Sequence, residues 1–101
     1  METIDALVEQ LQSQKIGERF RASRALVRYK AEASPAIPYL IEALADDSTI
    51  VRDSVVWALS AIEEDALPAL EQAACDRDFP HRMLAIYALG RYTNNAPARV
   101  N

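Results

Sequence analysis

The sequence predicts an all-α protein, on three observations. Glycine occurs only twice in 101 residues, whereas hairpins and phosphate-cradling loops use glycine for positive φ angles; alanine, arginine, leucine and glutamate are abundant and favour helix. Apolar residues recur at helical spacing: Val55, Ala58, Leu59 and Ile62 stand at i, i+3, i+4 and i+7, as do Ala22, Ala25, Leu26 and Tyr29, and then Ala85, Ala88, Leu89 and Tyr92. The chain also repeats itself. Three segments, beginning at Arg19, Arg52 and Arg82, reach Ala-Leu at the same offset, with a period of 33 residues and then 30. Half the side chains are apolar and about a quarter charged, which excludes a disordered chain, and no apolar run approaches a membrane span.

The elements follow in order. An abbreviated unit, Ile4 to Leu11, opens a helix over about 3–13, and the segment around Arg19 to Leu26 a second over 17–30. Ser34 before Pro35 places a capping oxygen ahead of a third, over 35–45, and Ser48 before Thr49 does so for a fourth, over 48–62. Ala66-Leu67-Pro68 copies Ala36-Ile37-Pro38 and starts a fifth, over 66–75; Asp78 ahead of Pro80 starts a sixth, over 79–92. Three inserted residues around Ala31 to Pro35 account for the longer period. Asn95 ahead of Pro97 and the fragment Ala96 to Val100 read as an unfinished further helix. One domain, 1–101, thus holds helix pairs at about 3–30, 35–62 and 66–92 and a tail over 93–101.

The stretch Ala45-Asp46-Asp47-Ser48-Thr49-Ile50-Val51-Arg52, followed by Ala58-Leu59 and Ile62, resembles the HEAT repeat. More narrowly it is similar to the short repeats of phycobilisome (bilin) lyase subunits and related bacterial scaffold proteins. Ser13 in place of Asp46 and Asp76, and Glu18 and His81 in place of Val51, depart from the pattern. The resemblance implies a right-handed α-solenoid of three helix pairs, about six helices, with each pair shielding the next. It also implies a structural Asp-Arg ladder at Asp46 with Arg52 and Asp76 with Arg82, and it is specific for fold and not for activity; the expected function is a non-catalytic protein-interaction module acting as adaptor, scaffold or assembly factor. The alternatives are an accessory subunit of bilin lyase or phycobiliprotein assembly and, less favoured, a nucleic-acid-binding protein.

Charge is unevenly distributed. Residues 1–14 sum to −3, 15–30 to +5, 31–79 to −9 and 80–101 to +3, for a net −4, with nine arginines to two lysines. A stripe of Arg21, Arg24 and Arg28 therefore either grips an acidic partner or is solvated and bridged to the acidic middle repeat. The −9 segment opposes attraction to phosphate, which argues against nucleic acid.

Overlaying the second helix of each pair puts Arg24, Trp57 and Tyr87 in one column, flanked by Arg21, Ser54 and Leu84 and by Arg28, Ala61 and Arg91. In a stack these columns form one strip on the inner, concave face. Aromatic residues rimmed by arginine have the composition of a protein-binding hot spot. Trp57 and Tyr87 are the expected anchors, and Arg24, Arg28 and Arg91 the residues that select a partner of acidic or mixed-charge surface; the other reading of Trp57 is a gap-filler in the core. The exposed ends of so short a stack also invite self-association.

No residue is assigned to catalysis, to a cofactor or to a metal. His81, the one histidine, reads as a helix-terminal or partly buried residue, and Cys75, the one cysteine, as a small core residue. The acids Asp46-Asp47 and Glu63-Glu64-Asp65 read as caps and solvated loops. Glu2, Asp5 and Glu9 precede no basic-then-apolar leader, so the expected location is cytoplasmic.

Overall fold

Capping side chains mark two of the helix starts. The computed structural model describes residues 2–95. Thr3 accepts a hydrogen bond from the Ala6 N–H and opens α1 (Ile4–Leu11). Lys15 precedes α2 (Ile16–Tyr29), and α3 spans Ile37–Ala43. Ser48 accepts from the Val51 N–H at the start of α4 (Thr49–Ile62); α5 (Leu67–Cys75) and α6 (Arg82–Asn95) follow. The described residues hold no strand.

The six separate helices expected from the sequence are corrected to four helical stretches, over 4–11, 16–43, 49–75 and 82–95, because α2 runs into α3 and α4 into α5 without an intervening loop. The cause lies after α2 and α4. Each ends on a residue at positive φ, Lys30 at 52° and Glu63 at 69°, one repeat apart, and the chain then runs through a 3-10 helix directly into α3 or α5. Pro38 and Pro68 fall in the first turns of those helices, where the missing N–H leaves no hydrogen bond unmade. The first 3-10 segment, Lys30–Ala36, has seven residues and the second, Glu63–Ala66, has four. Three residues make one 3-10 turn, so the three extra residues amount to one added turn.

Ser34 is not an N-cap, because it sits inside this 3-10 segment. Its Oγ lies 2.7 Å from the Ala31 carbonyl and 2.7 Å from Oδ2 of Asp65, tying the two linkers together. α6 begins at Arg82, later than expected, because His81 at φ 60° interrupts helical geometry. Phe79 packs against the core just before it. Asn95 is the last residue of α6; the side chain of Tyr92 and the fragment from Ala96 to Val100 lie outside the described residues.

The helices pair as α1 with α2, α3 with α4 and α5 with α6, and α2, α4 and α6 pack side by side while α1, α3 and α5 do the same. α4 is in the middle and buries the most, including Val51, Val55, Ala58, Leu59 and Ile62. Val55, Ala58, Leu59 and Ile62, at the expected helical spacing, are all core, as are Ala22, Leu26, Ala85 and Ala88, with Ala25, Tyr29 and Leu89 half-buried. Each fully buried valine, leucine or isoleucine contributes about 1.5–3 kcal/mol. Where α2 meets α4, Ser23 and Ser54 are buried and their hydroxyls lie 2.7 Å apart, so small side chains allow close approach and satisfy each other. Cys75 is exposed, correcting its expected place in the core; it ends α5 on the outward side.

Candidate functional site

Two adjacent helices, α2 and α4, line a concavity. On α2, Phe20, Arg24 and Val27 stand at i, i+4 and i+7, one face of the helix, with Arg28 beside them. On α4, Ile50, Asp53, Ser54 and Trp57 stand at i, i+3, i+4 and i+7. Between these faces lies a groove of about 540 Å³, within the size range that protein ligands occupy. Ser54, buried where the two helices meet, lines the groove, and Ile50 and Trp57 remain 58% and 56% exposed. Arg24, Arg28 and Trp57 thus come together around one groove. The core reading of Trp57 is not the arrangement adopted.

Arg91 reaches this site from α6. Its guanidinium carbon is 3.8 Å from the centroid of the Trp57 ring, a cation–π stack that covers part of the indole. The Arg91 Nε is buried with no hydrogen-bond acceptor among the described residues. Arg24 sits more loosely over Phe20, 5.7 Å from its ring centroid. Tyr87 is 56% exposed on α6 and does not line the groove between α2 and α4. Among the described residues, Arg21, Arg24 and Arg28 form no ion pair, so the bridges to the acidic middle repeat considered from sequence are not made.

At Asp46 the carboxylate takes a different arginine from the one the resemblance implies. The Asp46 carboxylate receives Arg19 from the preceding pair, Nε to Oδ2 at 2.7 Å and an Nη to Oδ1 at 3.1 Å. Arg52 instead donates to the Asp46 main-chain carbonyl at 2.6 Å and to the Thr49 hydroxyl at 3.0 Å. Arg19 makes the matching backbone contact, to the Ser13 carbonyl at 2.9 Å. Asp46 Oδ1 also accepts from the Ser48 N–H, as Asp76 Oδ1 does from the Asp78 N–H, both at 2.9 Å. Arg82 opens α6, and among the described residues Arg52 and Asp76 form no ion pair. Burial opposes ionisation of Asp46, but the hydrogen bonds from Arg19 and the Ser48 N–H outweigh it and hold the carboxyl below its ordinary value of 3.8. The same hydrogen bond raises Arg19.

Sequence reasoning missed Arg19, Phe20 and Ile50. Arg19 was recoverable as the equivalent of Arg52 one period earlier. Ile50 was recoverable by stepping back i−7 from Trp57, whereas nothing in the repeat marks Phe20. His81 is exposed ahead of α6. Among the described residues no helix is long and apolar enough to cross a membrane.

The arrangement can grip a chain segment through apolar contact and arginine hydrogen bonds. Comparison with protein families matches residues 37–100 to HEAT repeats. Comparison with curated proteins finds no match.

Proposed function

The chain belongs to the HEAT-repeat family, and on that premise we propose that it is a non-catalytic adaptor, scaffold or assembly factor that binds another protein along the face of α2, α4 and α6. Repeats of this family generally mediate protein–protein contacts. The two layers are read as a right-handed α-solenoid with α2, α4 and α6 on the concave side. The observation that carries the reading is the exposed Trp57, stacked by Arg91 and opening onto the groove beside Arg24 and Arg28. An aromatic ring left in solvent beside arginines is the composition that interface hot spots favour. Tyr87 extends the apolar surface along α6, and the partner surface is acidic or mixed in charge.

An affinity capture from the source cell, with wild type and a Trp57→Ala/Tyr87→Ala double variant as baits, tests this. Partners held by wild type are expected to be missing from the variant. Identical partner sets from two equally folded baits would overturn the proposal.

A further inference from the structure

The groove between α2 and α4 has chemistry on its two walls that specifies an occupant. The α2 wall carries Arg24 and Arg28, neither of which is ion-paired among the described residues. They belong to a segment, 15–30, of net charge +5 in a chain of net charge −4. The α4 wall carries Ile50 and Trp57, both more than half exposed, and one acid, Asp53. Trp57 is closed on one side by Arg91, so an incoming apolar side chain meets the indole from the groove. Apolar burial supplies attraction without direction, and the unpaired arginines on one wall supply the direction.

Resting on the protein-binding reading above, we propose that this groove docks an acidic amphipathic segment of another protein, with its apolar ridge between Val27 and Trp57 and its carboxylates along Arg24 and Arg28. Arginine presents planar paired donors that suit carboxylates. Asp53 faces the same groove from the opposite wall, so a segment bearing acids on both edges is repelled there. One acidic edge, with a neutral or basic residue opposite, fits best. A second copy of this chain is a competing occupant, since Glu63, Glu64 and Asp65 are exposed.

The test uses three fluorescein-labelled synthetic helical peptides: leucines along one face with a glutamate edge, the same leucines with a lysine edge, and the glutamate edge with alanines replacing the leucines. Anisotropy measures binding, and the emission of Trp57, the only tryptophan, reports occupancy of the groove. The glutamate–leucine peptide is expected to bind and shift Trp57 emission. Arg24→Glu/Arg28→Glu should weaken it about tenfold, Asp53→Asn should strengthen it, and added salt should weaken it. Helical circular dichroism confirms that each variant, altered only at exposed positions, is folded. Failure of that peptide to bind overturns the inference, as does equal binding of the lysine–leucine peptide or insensitivity to the arginine reversals. If the lysine–leucine peptide binds and Trp57→Ala abolishes it, the acidic occupant is wrong while the protein-binding reading survives. If no peptide binds and captured partners ignore Trp57→Ala/Tyr87→Ala, both fall. Wild-type dimerisation lost in Arg24→Glu/Arg28→Glu without any peptide identifies a second copy as the occupant and overturns the proposal.

Discussion

Asp46→Asn tests how the first two repeats are held together. The wild-type carboxylate takes two hydrogen bonds from Arg19 and one from the Ser48 N–H, and the paired side chains are only 9% and 13% exposed. Breaking a fully buried ion pair costs about 3–5 kcal/mol, and an exposed pair is worth about 0–1 kcal/mol. This pair lies near the rim of the fold, and the amide keeps one oxygen as an acceptor, so a loss of about 2 kcal/mol is expected. In a domain of this length that lowers Tm by about 8–16 °C. Urea unfolding monitored by helical circular dichroism measures it, with an unchanged slope showing that the same surface is exposed on unfolding. The dependence on pH follows from Asp46 titrating below 3.8 in the folded chain. Its contribution is complete above the unfolded value and is lost as pH falls through the lower folded value. Wild type and Asp46→Asn should therefore converge as the solution is acidified from pH 5 downward, and Arg19→Met should cost less in the Asp46→Asn background than in wild type, the remainder being its bond to the Ser13 carbonyl. A loss under about 0.5 kcal/mol at neutral pH, or a gap constant through acid, would refute a linking role for Arg19 and Asp46.

Trp57→Ala should cost about 0.5–1 kcal/mol, the worth of an exposed cation–π stack, against about 3–5 for a core tryptophan; a thermal melt separates the two. Lys30→Gly and Glu63→Gly should each raise stability by about 1 kcal/mol, because glycine relieves a positive φ that costs about 1–3 and loses part of the gain to unfolded-chain entropy. Destabilisation by either in urea would contradict that conformation. Ser23→Ala should cost about 1–2 kcal/mol by stranding the buried Ser54 hydroxyl, Ser54→Ala should cost less because the Ser23 hydroxyl keeps the Phe20 carbonyl as a partner, and the double variant should cost less than the two single losses added. Additive losses in the double-mutant cycle would show that the two hydroxyls act separately.

The helices were legible because periodicity is local: Val55, Ala58, Leu59 and Ile62 share a face whatever that face packs against. The three-residue insertion was legible for the same reason, since the offset between copies of a repeat is a count along the chain. The groove was half legible. Aligning the repeats put Arg24 and Trp57 in one column, but Phe20 and Ile50 join them only because α2 and α4 lie side by side. Cys75 reads as a small core residue from its type, yet it is exposed, because residue type alone does not say which way the last residue of a helix points.

Its all-α character, its repeat and the faces its helices bury were written in the sequence alone, because helix geometry converts spacing directly into direction. Tertiary structure decided which charges meet. Asp46 stands six residues from Arg52 and 27 from Arg19, and the carboxylate goes to the distant arginine. Stacking one pair on the next brings Arg19 alongside it, while Arg52 turns to the main chain of its own loop. The same stacking lays Arg91 over Trp57. Contacts between repeats depend on how one helix pair sits on another, and no spacing within a single pair contains that angle.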